Sequence, residues 1–216
     1  MHESAKLFVI AAPSGAGKTT LVRALTRRNP ELRFSISYTT RNKRRSEAHG
    51  VDYLFVKRED FEALRDRGEM LESAEVFDNL YGTSRAQVEQ HLADGYDVIL
   101  EIDWQGARQV RESMPDCVTI FILPPSVGEL ERRLRNRGTD DPEVIDRRLR
   151  DARSDMSHWD EFDHVIINDD LDRAVADLEA ALGGESDSTS TLNPQLRREV
   201  ARIVGQQPPA DAAPAS

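Results

Sequence analysis

Cys117 is the only cysteine among 216 residues, so no intrachain disulfide can brace the fold and its stability must come from a packed core. Apolar runs are short as well. None approaches the roughly 20 residues that a membrane span needs, and the run that follows Met1–Lys6 is too short for a secretory leader, so the expected compartment is the cytosol. His49, His91, His158 and His164 lack metal-ligand spacing and take no role. A general basic surface is missing too: the net charge is −10 and the isoelectric point is about 5.1. That balance argues against a nucleic-acid partner, and nothing points to a membrane partner. There is no internal repeat. A hydrophobic content of 38% and a mean hydropathy of −0.58 fit one globular domain with a short appended element.

Against these absences one stretch stands out, Lys6–Thr20 (KLFVIAAPSGAGKTT). Leu7–Ala12 is an uncharged apolar run and reads as a strand buried on both faces. Pro13-Ser14-Gly15-Ala16-Gly17 is a turn of small residues. A helix follows over Lys18–Arg28, with Leu21, Val22 and Leu25 at helical spacing and Asn29-Pro30 ending it. Strand, glycine turn and helix in this order form a phosphate-binding loop. Successive N–H groups converge on one concavity, and the helix adds the positive end of its dipole. Lys18 can then reach the β- and γ-phosphates of a nucleotide, and the Thr19 hydroxyl can ligate magnesium. Ala12 stands where the general pattern has glycine, so the chain must enter the turn in a conformation that alanine tolerates.

The remaining pattern alternates strands and helices, which predicts an α/β fold with a parallel sheet between helices. Strands are expected at Leu32–Ser37, Tyr53–Val56, Met70–Phe77, Asp97–Ile102, Val118–Leu123 and His164–Asn168. Helices are expected near Glu59–Arg67, Ser84–Ala93, Trp104–Ser113, Ser126–Arg137 and Leu171–Leu182, with another from Pro142 capped by Asp141. Ser126 and Glu129 have the spacing of a capping box. Asn79–Thr83 reads as a turn. The short strands between Leu32 and Thr83 suggest a small antiparallel insertion. Gly183–Thr191 (GGESDSTST) reads as a flexible linker, Asn193–Val204 as a short helix and Gly205–Ser216 as a disordered tail. On that reading, deleting Glu185–Ser216 leaves folding and chemistry largely unchanged.

Chemistry beyond the loop concentrates in the insertion. Thr39–Arg45 is strongly basic in an acidic chain, and Arg41 and Arg44 with Tyr53 and Tyr81 suit a second phosphate. Glu72 with the hydroxyls of Ser37 and Thr83 suits a base that presents both donors and acceptors, as guanine does. Glu101 and Asp103 stand at the carboxyl end of a buried strand, where in a phosphate-loop protein one such acid helps hold the water shell of magnesium.

The chain resembles the guanylate kinase family over about Lys6–Leu182. The resemblance rests on APSGAGKTTL at Ala12–Leu21, SYTTR at Ser37–Arg41, GVDY at Gly50–Tyr53, NLYGTS at Asn79–Ser84, EIDWQG at Glu101–Gly106, RLRNRGTD at Arg133–Asp140 and INDDL at Ile167–Leu171. It implies a three-layer phosphate-loop core (residues 5–36 and 97–183), an inserted nucleoside-monophosphate module (37–92) and a short lid (137–148) within a domain of residues 1–183, followed by a tail from 184. ATP would lie against Ala12, Pro13, Ser14, Gly15, Ala16, Gly17, Lys18, Thr19 and Thr20, with Arg137 and Arg148 closing on its phosphates and Asn168 near the adenine. GMP would be held at its phosphate by Arg41, Arg44, Tyr53 and Tyr81, and at its base by Ser37, Glu72 and Thr83 with Asp103 nearby. Lys18, Arg41, Arg137 and Arg148 would carry the catalysis, with Mg²⁺ at Thr19 and Glu101. Glu101 stands where aspartate is more familiar in the family. The implied reaction is ATP + GMP ⇌ ADP + GDP, in purine nucleotide recycling, with dGMP as a second acceptor.

Two rivals stay open at this level. A kinase for another nucleoside monophosphate or a phosphorylated sugar would share the loop. A non-catalytic interaction domain of guanylate-kinase type would bind a peptide on the same module, although Lys18-Thr19 argues for a working loop. The sequence does not set the oligomeric state and is compatible with a homo-oligomer.

Overall fold

Every residue of Leu7–Ala11 is buried, as an uncharged run in the middle of a sheet should be, and it forms strand β1. In the computed structural model, which describes residues 5–45, 47–76, 78–136, 142–184 and 187–205, β1 leads through the small-residue turn into helix α1 (Lys18–Arg28). Then come β2 (Arg33–Phe34), β3 (Tyr38–Thr39), β4 (Leu54–Phe55), α2 (Arg58–Asp66), β5 (Met70–Val76), β6 (Asn79–Ser84) and α3 (Arg85–Ala93). The chain continues with β7 (Val98–Glu101), α4 (Trp104–Ser113), β8 (Val118–Leu123), α5 (Val127–Asn136) and α6 (Pro142–Met156). A 3-10 turn at Trp159–Glu161, β9 (His164–Ile167), α7 (Leu171–Gly183) and α8 (Pro194–Val204) complete the described chain. The strands form a five-stranded sheet in the order β2-β7-β1-β8-β9 and a four-stranded sheet in the order β4-β3-β6-β5. The fold is α/β, as the alternation predicts. No helix among the described residues is long and apolar enough to cross a membrane.

The chain divides into two compact units, Met1–Val9 with Arg28–Val118, and Ile10–Arg27 with Thr119–Ser216. In the first, the expected strand Leu32–Ser37 is broken. Arg33 and Phe34 pair with Val98 and Ile99, Ser35 still donates its N–H to the Ile99 carbonyl, and the chain then leaves for the second sheet as β3. That sheet is not wholly antiparallel. β3–β6 and β5–β6 are antiparallel, but β3–β4 is parallel. Asn79–Thr83 is a strand rather than a turn, because the reversal falls earlier, at Asp78, whose φ of 64° lies in the left-handed region. Gly82 has another purpose: a Cβ there would lie 2.9 Å from both the Glu72 carbonyl and Phe61, so glycine allows close packing.

In the second unit, Ser126 accepts from the Glu129 N–H at 3.0 Å, which is half of a capping box. The Glu129 carboxylate turns to Arg132 and Arg133 instead of returning to the cap. Asp141 and the tail beyond Gly205 lie outside the described residues.

The flexible linker is not what forms. Val165 donates to the Thr189 carbonyl at 2.8 Å, Thr191 donates to Asp163 at 2.9 Å, and the Thr191 hydroxyl donates to the Phe162 carbonyl at 2.7 Å. Residues 189–191 thus lie along β9, with Thr189 and Thr191 buried. Asn193 caps α8, whose Leu196, Val200 and Ala201 are buried, and Arg197 stacks 5.0 Å over Trp159. A polar composition suggested flexibility, but the hydroxyls are hydrogen-bonded inside the fold. The tolerance expected for the deletion is therefore reversed. Removing residues 185–216 is expected to cost at least about 3 kcal/mol, the order expected for uncovering two aliphatic side chains. A denaturant melt of the truncated chain checks this, and an unchanged midpoint would contradict it.

Candidate active site

The second unit holds the loop. Gly15 and Gly17 have φ values of 92° and 93°, so the two left-handed steps fall on glycines. Among the described non-glycine residues only Asp78 has positive φ, so Ala12 enters the turn in an ordinary conformation. Ala16 N–H donates to the Pro13 carbonyl at 3.2 Å, closing the turn, and Lys18, half-buried, begins α1 with the exposed Thr19 and Thr20 after it.

The loop is gripped from two other elements. The buried Asn168 donates its Nδ2–H to the Ala16 carbonyl at 2.8 Å, and a Cβ on Gly17 would lie 2.5 Å from that nitrogen. Arg133 of α5 donates to the same Ala16 carbonyl at 3.1 Å and to the Asn168 carbonyl at 2.9 Å, while Glu129 one turn earlier holds its Nε at 2.8 Å. Hydrogen bonds from Arg132 and Arg133 hold the Glu129 carboxyl down at about 2. From α6, Arg148 donates to the Ser14 hydroxyl at 2.7 Å. In the sequence Arg133 is only the first residue of RLRNRGTD, with no role attached to it. The Glu129/Arg133 pair at i,i+4 was the available signal. Arg137, expected beside Arg148, lies outside the described residues with the rest of 137–141, while 142–148 of the expected lid belong to α6.

The first unit holds two clusters. In one, Glu72 is 3% exposed, and its Oε1 accepts from the Thr83 hydroxyl at 2.7 Å. The hydroxyls of Thr83 and Ser37 lie 3.3 Å apart. β6 places Thr83 opposite Glu72, and a register shift between Met70 and Glu72 bulges β5 just before the carboxylate. Asp103 caps α4 by accepting from Gly106 N–H at 2.8 Å. A Cβ on Gly106 would lie 2.6 Å from Glu72 Oε2 and 3.3 Å from Asp103 Oδ1, so both carboxylates flank a position only glycine can fill.

In the other cluster, Arg41 lies 5.4 Å over the Tyr53 ring, which meets Tyr81 edge-on at 6.0 Å. Glu47 grips Arg41 at both ends of the guanidinium, at 2.8 and 3.0 Å, and also accepts from the Arg44 N–H at 2.8 Å. These hydrogen bonds raise the pKa of Arg41 and lower that of Glu47. The Arg44 side chain is exposed. Burial, and then the charge of Glu101, push Tyr53 up to about 12, so its hydroxyl keeps a proton to donate throughout the physiological range. Glu47 was missed in the sequence. The one acidic residue after a basic run was its only sign.

The chain is similar to known proteins over most of its length. The sequence model of the guanylate kinase family matches residues 4–185. The guanylate kinase of Pseudomonas fluorescens is 55% identical over 204 residues, covering 94% of this chain and 99% of its own length. That of Alkalilimnicola ehrlichii is 53% identical over 199 residues, covering 92% and 98%. The crystal structure of guanylate kinase from Anaplasma phagocytophilum superposes with a TM-score of 0.71 at 36% identity, covering 86% of this chain and 88% of that one. Taken with the phosphate loop and the buried carboxylate–hydroxyl cluster, these matches mean that the chain belongs to the guanylate kinase family.

Proposed function

We propose that the protein transfers the γ-phosphoryl group of ATP to GMP, and to dGMP, giving ADP and the guanosine diphosphate, in purine nucleotide recycling in the cytoplasm. The observation that carries the choice of acceptor is the buried Glu72 carboxylate beside two hydroxyls. Guanine N1–H and N2–H₂ donate to Glu72, and O6 and N7 accept from the hydroxyls of Ser37 and Thr83, the latter turning its proton from Glu72 to the base as guanine takes its place on the carboxylate, with Asp103 at the same base. Arg41, Arg44, Tyr53 and Tyr81 take the phosphate. Glu47 keeps the Arg41 guanidinium oriented before the substrate arrives, which lowers the ordering cost of binding. Residues 37–92 act as the monophosphate module and residues 5–36 and 97–183 as the core.

The donor lies on the loop from Ala12 to Thr20. Its backbone N–H groups surround the phosphates, Arg148 lies against Ser14, Arg137 acts beside it, and Asn168 stands toward the adenine. Two anionic substrates repel each other, so transfer needs their charge neutralised and the attacking and leaving oxygens held in line. Lys18 and the arginines supply that charge, and no protein nucleophile is required. Among the described residues no cluster of three or more His, Cys, Asp or Glu side chains could cage a metal. The Thr19 hydroxyl and the Glu101 carboxylate would each supply a hard oxygen of the kind magnesium takes, directly or through its waters. Magnesium, when bound with ATP, would supply positive charge against the phosphates.

The test is a substrate panel, with ATP and each nucleoside monophosphate offered in turn. GMP is expected to exceed AMP in kcat/KM by roughly 10⁴, because a site built to pair one base edge leaves polar groups unpaired against another. IMP, which lacks only the N2 donors, should fall between them. Equal use of AMP and GMP would refute the assignment.

A further inference from the structure

β5, which carries Glu72, is the outer strand of its sheet and has a strand partner on one side only. In an antiparallel ladder every second residue turns its N–H and C=O away from the partner strand, and on an outer strand these groups normally meet water. At Ser73 they meet a side chain. The Ser73 N–H donates to Gln109 Oε1 at 3.0 Å, and the Ser73 carbonyl accepts from Gln109 Nε2 at 2.9 Å. The carboxamide acts as one further peptide unit, continuing the ladder with a single side chain.

Gln109 is half-buried on α4, three residues after Gly106 and therefore on the same helix face. That face meets two consecutive residues of β5: Gly106 receives the Glu72 carboxylate, and Gln109 receives the Ser73 backbone. The place matters because the bulge between Met70 and Glu72 interrupts the regular pairing just before the carboxylate. A bulge disrupts the ladder locally and bends its strand. Gln109 holds it immediately after the bulge.

We infer that Gln109 is a positioning residue for base recognition: by pinning Ser73 it sets the height of the Glu72 carboxylate against the first turn of α4. This rests on the reading of Glu72 as the acceptor for guanine. Gln109 touches no substrate, and its effect passes through β5. A simple staple between helix and strand would lower stability without regard to which substrate is bound. A positioning residue should change one substrate's use and spare the other's.

The experiment compares the full-length protein with Gln109→Ala and with Gln109→Met, which keeps length and packing but can neither donate nor accept in this way. In both variants KM for GMP is expected to rise about tenfold, with KM for ATP and kcat within about twofold of wild type and the preference for GMP over AMP lowered by a similar factor; misplacements of an ångström have effects of this order or larger. Combined with Glu72→Gln, Gln109→Ala should have little further effect on KM for GMP, the coupling expected when one residue acts through another. The inference is overturned if KM for GMP is unchanged in either variant that folds, if both substrates' KM values rise together, or if the effect persists undiminished in the Glu72→Gln background. Failure of the underlying reading is told apart because it appears with Gln109 intact. A wild-type protein without preference for GMP, or a Glu72→Gln variant that keeps it, removes the guanine assignment and this inference with it.

Discussion

Lys18→Ala is expected to lower kcat by about 10²–10³ while leaving the fold in place. Removing one group aimed at the charge that develops in the transition state costs a factor of that order. Lys18 stands at the junction where this charge would be met, immediately after the left-handed Gly17 and at the first position of α1. Alanine is a strong helix former, so α1 should start where it does now. The buried face of α1, made of Leu21, Val22 and Leu25, is untouched by the change. Steady-state turnover with ATP and GMP, together with a melting curve, decides the matter. If KM rose but kcat held, Lys18 would contribute uniform binding and not transition-state stabilisation. Near-normal turnover in a folded variant would remove it from the chemistry.

Glu72→Gln is expected to reduce kcat/KM for GMP by about 10–100-fold and to narrow the gap between GMP and AMP. Hydrogen bonds to a charged group contribute about 1.5–3 kcal/mol, and the amide replaces a charged acceptor with a neutral one. It also brings an NH₂ that can face the N1 acceptor of adenine, so AMP should lose less or gain. The carboxylate is buried and already accepts from Thr83, so its loss is not screened by solvent. Thr83→Ala should act in the same direction and more weakly, since it removes a neutral hydroxyl. An unchanged GMP-to-AMP ratio in Glu72→Gln would mean that another group reads the base.

Glu47 shows why the phosphate cluster was only half legible. The basic run Thr39–Arg45 with two tyrosines announced an anion site, but not that a carboxylate of the same loop would occupy the Arg41 fork. Whether a nearby acidic residue folds back or faces solvent depends on the loop's path, which local pattern does not encode. Arg133 is similar. Its partner Glu129 was visible at helical spacing, but its contacts at Ala16 and Asn168 join residues far apart in the chain. Gly82 misled in another way, because glycine suits both a turn and close packing, and here the packing of Phe61 and the Glu72 backbone decided it. The serines and threonines of residues 187–191 look flexible in composition, but β9 offers them an unpaired edge.

What the sequence determined alone was whatever a short window encodes. β1 from its apolar run, α1 over about Lys18–Arg28, the glycine loop between them, β8, and the cap at Ser126 follow from periodicity and local hydrogen bonding. Glu72, Ser37 and Thr83 could be grouped as a carboxylate with two hydroxyls from their residue types alone, but that they meet was decided by the pairing of β5 with β6. The tertiary structure alone decided how distant residues meet: which carboxylate occupies Arg41, which side chains hold the Ala16 carbonyl, how the C-terminal segment covers β9, and that Gln109 completes the edge of β5. The physical reason is that a buried or outer-strand polar group must find a partner once water is gone, and the partner is whichever group the fold brings near, at any separation along the chain.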